Sequence, residues 1–241
     1  MNKAVYKQAR SFHKITGYLL AIQVLLWLLG GLVMSAIPLE KVHGKHLATK
    51  QTANPFVAHD YTYNINSLLN DQQTVKQITY THLFNRPLYL VQLPDKQLAF
   101  FADTGEQVTT LSKQQIALLA GEHILIDANI QAIDLLARGP RETGYKADVW
   151  QVTYDDMWQT TLYFSNQTGQ LTTIRSDIWR IFDVFWMLHI MDYDEREDFN
   201  NPLLISFSAC SVLFALSGFL LMLQNGGASM RRLKRRKARA S

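Results

Sequence analysis

ITGYLLAIQVLLWLLGGLVMSAI, residues 15–37, carries no charged side chain, with Lys14 before it and Glu40 after it. As a helix rising 1.5 Å per residue it measures about 35 Å, enough to cross a hydrocarbon core with some tilt. A cleaved secretory signal is the competing reading, because Met34-Ser35-Ala36 offers small residues at a cleavage point. The apolar part of such a signal runs about 7–15 residues, well short of this stretch, which favours a retained span.

Outward from this stretch, a second uncharged run lasts from Phe199 to Met230. Within it Leu203 to Leu223 reads as another span, with Asn201 as N-cap and Pro202 as first helical residue. Gly17 with Ala21, and Ser211, Ala215 and Gly218, form small-residue faces of the kind that let membrane helices approach closely. The charges fall around these runs. Lys3, Lys7, Arg10 and Lys14 precede the first; Arg231, Arg232, Lys234, Arg235, Arg236, Lys237 and Arg239 follow the second. Those are 11 of 24 basic residues, so 13 bases face 20 acids in the remainder, a balance of about −7. Basic clusters beside apolar runs follow the positive-inside rule and argue against nucleic acid as a partner. Both ends are therefore expected in the cytoplasm, with residues 38 to about 200 across the membrane. In a bacterial cell that is the periplasmic side of the inner (plasma) membrane.

The central region lacks a long apolar run and reads as an α+β domain. Strands are expected at Pro87–Leu93, Leu98–Ala102 and Gln107–Leu111, then a helix at Lys113–Ala120. A second set follows at Asp148–Tyr154, Gln159–Phe164 and Leu171–Ile174. In the first of these, Val149, Gln151 and Thr153 alternate with Trp150, Val152 and Tyr154. Thr-Gly recurs at an interval of 64 residues, each time after an aromatic pair, Phe100-Phe101 and Tyr163-Phe164. Two copies of one unit, at about 75–120 and 130–175, is the economical reading.

The pieces PLYLVQLPDKQLAFFADTGEQV (87–108) and VWQVTYDDMWQTTLYFSNQTGQL (149–171) resemble PepSY domains, small α+β modules with a strand, turn, strand and acidic Thr-Gly turn. In the second, Asn166-Gln167 stands where an acid is usual. The flanks are similar to the PepSY-associated transmembrane helix family. Phe12-His13-Lys14-Ile15-Thr16-Gly17 looks like its entry to the first span, and Leu188-His189 with Leu216-Ser217-Gly218 like its exit. The resemblance implies two PepSY-like units between two transmembrane helices. Larger members have four or more spans, and some are haem-containing ferric-siderophore reductases facing the periplasm. It thus implies a haem-binding redox component linked to iron reduction or uptake, a subunit of a membrane ferric reductase rather than an autonomous enzyme. The alternative is a non-enzymatic interaction or regulatory protein, modulating a peptidase or assembling an envelope complex.

Between the domain and the second span lies IWRIFDVFWMLHIMDY, residues 178–193. Here Trp179, Phe182, Trp186, His189 and Tyr193 share one helical seam. The chain thus divides into a basic N-terminus (1–14), first span (15–37), domain region (38–177), interfacial helix (178–193), second span (202–224) and basic tail (225–241). A b-type haem takes two imidazoles from different segments, and no C-x-x-C-H exists for covalent attachment. His13 and His189 stand at opposite faces of the bilayer, about 30 Å apart, so one iron cannot take both. As ligands, His189 is expected to pair with His43 or His46 on its own side and His13 with His13 of another copy; the alternative for both is an interfacial or capping histidine. Two chains packed through their small-residue faces would give four spans, which points to a homodimer or a heteromeric membrane complex. His59, His82 and His123 read as ordinary surface or strand residues. Asp192, Asp194 and Glu195 open an acidic run able to hold a hard cation, although such a run is more often a solvated loop. No nucleophile elbow, zinc-protease motif or phosphate-binding glycine loop occurs. The single cysteine, Cys210, excludes an intramolecular disulfide.

Overall fold

The computed structural model describes the backbone of residues 3–50, 57, 60–68 and 74–240, with side chains from residue 6 to residue 224 of those ranges. His59, Lys3 and the basic side chains of the tail lie outside the described residues. The chain forms two compact units: residues 1–36 with 182–241, and residues 37–181.

The first unit is helical. Helix α1 spans Lys3–Ala36 and α5 spans Pro202–Ala240, while α4 (Asp177–Ile190) enters the unit at Phe182. Tyr6–Ala36 and Pro202–Gln224 are each long and apolar enough to cross a membrane. Their large apolar side chains point outward, among them Ile15, Tyr18, Ile22, Leu28, Val212 and Phe219. A core helix of a soluble protein would bury these groups, so the exposed faces suit lipid. Helix α1 also packs on both other helices, which argues for its retention. Gly17 meets the Phe214 ring and Gly218 meets the His13 ring. Gly17 and Gly218 therefore serve α1–α5 contact within one chain, while Ala21 and Ala215 of the same faces stay exposed. The apolar part of α1 is 31 residues and that of α5 is 23, and the excess length of α1 runs beside α4. There Gln23 Nε2 donates to Leu188 O at 3.0 Å, and Phe185 O lies beside Gly30.

The turn joining α4 to α5 is held by its own side chains. Asn201 caps α5 as expected, its Oδ1 accepting from Leu204 N at 2.8 Å while Nδ2 donates to Ile190 O. Arg196 pairs with Asp183, and Trp186 Nε1 donates to Arg196 O.

The second unit holds two antiparallel sheets. The first has the order β1 (Gln77–Leu83), β2 (Arg86–Gln92), β3 (Gln97–Phe101); the second runs β4 (Ile130–Arg138), β5 (Ala147–Tyr154), β6 (Thr161–Ser165), β7 (Leu171–Arg175). Alternate residues of both enter one core: Leu88 and Leu90 from one sheet, Trp150, Val152, Tyr154, Leu162 and Phe164 from the other. Helix α3 (Lys113–His123) adds Ile116, Leu119 and Ala120, and starts at a capping box between Ser112 and Gln115. A four-residue helix, α2 (Leu39–Val42), opens the unit.

The 64-residue interval is a structural period. Strands β3 and β6 begin and end 64 residues apart, as do the starts of α3 and α4. In the turns, Gly105 N donates to Phe101 O and Gly169 N to Ser165 O. Both glycines have φ near +70°, where a side chain is strained. The copies differ at one expected strand. Residues 107–111 form only a bridge from Gln107 to Phe100, whereas the equivalent β7 is a full strand. Asn166, at the atypical second turn, joins the copies: its Oδ1 accepts from Trp150 Nε1 and from Leu111 N.

Candidate functional site

The histidines proposed as ligands fall into different settings. His189, on the last turn of α4, faces α1 at Trp27 and Gly30. Its ring centroid lies 6.3 Å from that of Trp27, and a Cβ at Gly30 would come 3.9 Å from its Nδ1. Nδ1 of His189 and Nε1 of Trp27 are both buried without a hydrogen-bond partner among the described residues. Two orphaned ring nitrogens on neighbouring helices, between otherwise apolar surfaces, form the most unusual polar feature of the unit. Next to them Gly31 opens onto free space.

His13 is satisfied. Its Nδ1 lies 2.8 Å from Ser217 Oγ. That hydroxyl gives its proton to Phe214 O at 2.7 Å, so Nδ1 is the donor. The imidazole stacks flat on Phe214 at 4.2 Å and rests against Gly218, where a Cβ would lie 2.9 Å from Cε1. The entry and exit motifs thus meet each other across α1 and α5. Along α1, His13 is 17 residues from Gly30, a rise of about 25 Å. The structure therefore keeps His13 and His189 at separate levels, as expected.

His43 and His46 belong to the second unit and are exposed. His43 follows α2 as its C-cap and donates its backbone N–H to Leu39 O. It lines a groove of about 730 Å³ with Lys45, Lys50, Thr172 and Arg175. His123 is buried and donates from Nδ1 to Thr49 O at 2.7 Å, while His82 lies on β1.

The acidic run is a self-capped loop. Asp192 accepts backbone N–H bonds from Asp198, Glu197 and Asp194, the first two near 3.0 Å. The bond from Asp198 is the main influence holding its carboxyl below the usual range. Among the described residues no three His, Cys, Asp or Glu side chains converge as a metal site. Asp192 thus orders the link to α5, while Asp194 contributes only its backbone N–H.

Sequence reasoning missed a charged cluster where α4 leaves the second sheet. Glu142, in the turn before β5, accepts from Tyr163 Oη at 2.6 Å and from Arg180 Nε and Nη2 at 3.1 Å. Arg180 also bonds Asp177, and Gln151 donates to the Tyr163 hydroxyl. Burial and the Glu142 hydrogen bond push the Tyr163 hydroxyl far above its ordinary pKa. Arg175 and Arg141 both stand over the Trp179 ring. The sequence signal for this cluster was an arginine on a helix that is mostly aromatic and apolar. No family model matches the chain, and no curated protein or solved structure matches it either.

Proposed function

We propose that the chain is a haem-binding redox component of the bacterial inner membrane, linked to iron reduction or uptake, with its two-sheet domain in the periplasm and both termini in the cytoplasm. The observation that carries this reading is His189, whose Nδ1, buried between apolar helices, has no partner among the described residues. An unmet buried polar atom costs about 1–3 kcal/mol, so a side chain kept there has a use for its imidazole. His189 would supply one imidazole to a b-type haem, and Gly31 nearby on α1 has open space around it. A second imidazole would be required, and His189 of a second copy would supply it in a four-span homodimer. Bound haem supplies one-electron transfer. Gln23 fixes the height of α4 on α1 through Leu188 O, and Trp27 bounds the ring. His13, already bonded to Ser217, positions α1 on α5 and is not a ligand. The repeated sheets read as the PepSY-like units, and an electron donor is supplied separately.

Purified in mild detergent from haem-replete cells, the protein is expected to show a Soret band and a reduced α-band. A colourless preparation ends the reading. A membrane-anchored interaction module is then the account to take up. It is favoured by the self-contained core of residues 37–181 and by a cleft of about 240 Å³ lined by Thr81, His82, His123 and Gln170.

A further inference from the structure

The groove beside α2 and β7 is the second feature with unexplained chemistry. It measures about 730 Å³, and His43, Lys45, Lys50 and Arg175 line it together with threonines, with no carboxylate among the lining residues. Lys50 donates to a neutral acceptor, Thr172 O, at 2.7 Å, and pairs with no carboxylate among the described residues. Burial, Lys146 and Arg175 all press its pKa downward, as expected for a cation among cations. Lys45 reaches Glu40 at 3.2 Å, but both side chains are well exposed, and such a pair is weak and exchangeable. Arg175 is fixed by Nε donation to Glu142 O and by the Trp179 ring.

The chain path says where this groove belongs. His43 is seven residues after Ala36, the last residue of α1, and Arg175 is seven before Phe182, where α4 joins the helical unit. Both covalent connections of the domain to the apolar helices therefore pass its cationic lining. A basic recess with a Trp at its edge is the chemistry that meets lipid phosphates at a bilayer surface.

We propose that this groove binds the phosphate of an anionic phospholipid of the outer leaflet, seating the domain on the membrane. This goes beyond the haem reading and rests only on α1 and α5 being membrane spans. A soluble phosphate shares the chemistry, and the test separates the two sources. Full-length protein in mild detergent is mixed with palmitoyl-oleoyl phosphatidylglycerol, with phosphatidylcholine, or with inorganic phosphate, and backbone hydrogen exchange is followed.

Phosphatidylglycerol is expected to protect residues 43–50 and 171–176, and phosphatidylcholine to leave them unchanged. In the Lys45→Gln/Lys50→Gln double variant, half-protection should need about 25-fold more phosphatidylglycerol, taking about fivefold for each lysine. Protection by lipid at the basic helix ends should stay as in wild type. Equal protection by phosphatidylcholine, full protection by inorganic phosphate alone, or an unchanged double variant each overturns the proposal. A chain that stays monodisperse without detergent removes the membrane premise as well, whereas a colourless protein with intact lipid protection counts against haem alone.

Discussion

Replacing Glu142 by Ala tests whether the charged cluster at the root of α4 holds the domain together. The Glu142 side chain is 13% exposed and accepts three hydrogen bonds, one from Tyr163 and two from Arg180. Arg180 is 34% exposed and keeps Asp177, Thr161 and Gln159 as partners, so water and neighbours absorb most of its loss. Tyr163 is the costly member, because it is 1% exposed and its hydroxyl proton has no other acceptor among the described residues. An unsatisfied buried donor costs about 1–3 kcal/mol, and the lost charge-assisted bonds, discounted for exposure, bring the total to about 2–4 kcal/mol. For a domain of this size that lowers Tm by about 6–15 °C. The assay is thermal unfolding of the full chain in detergent, read by tryptophan fluorescence, for Glu142→Ala, Tyr163→Phe and the double variant. Tyr163→Phe should cost little once Glu142 is gone, giving a coupling of about 1–3 kcal/mol. A Tm change under about 2 °C, or strict additivity, would refute the reasoning.

Three further outcomes follow from particular contacts. Burial raises the Tyr154 hydroxyl to about 12, from an ordinary value near 10. Ionisation then favours the unfolded chain, so this contribution is complete below pH 10 and drains away between pH 10 and about 12; Tyr154→Phe should flatten that slope in alkaline melts. Gly169→Ala meets a positive φ and the Leu83 side chain at 2.6 Å, whereas Gly144→Ala meets a positive φ and open space. The first should cost about 2–3 kcal/mol and the second about 1 kcal/mol in the same unfolding assay. His13→Ala removes the Ser217 bond and the Phe214 stack, so α1–α5 pairing should weaken by about 1–2 kcal/mol, measurable by steric trapping in bicelles.

The sequence was most legible where one physical rule acts alone. Uncharged runs reveal helices that suit lipid, and Asn201-Pro202 is a helix start because a side-chain oxygen and a missing N–H both fit the first turn. The Thr-Gly period was visible because only glycine tolerates the turn at Gly105 and Gly169. What escaped depended on tertiary partners. Residues 107–111 alternate well enough for a strand but find only Phe100 to pair with, so one bridge forms. Glu142, Tyr163 and Arg180 are far apart in sequence, and no spacing rule joins a turn, a strand and a helix. His13 was a ligand candidate because a b-type haem takes two imidazoles; its packing against Ser217, 204 residues further along the chain, and Gly218 depends on another helix and could not be read from spacing. His189 kept its interest for the opposite reason, since packing leaves its Nδ1 unexplained.

The most direct test of that claim is the haem-to-chain ratio of the detergent-purified protein, measured by pyridine haemochrome against amino-acid analysis, for wild type, His189→Ala and His13→Ala. The account predicts about one haem per two chains in wild type, none in His189→Ala, and wild-type loading in the folded fraction of His13→Ala. Haem retained by His189→Ala, or lost from well-folded His13→Ala, would contradict it.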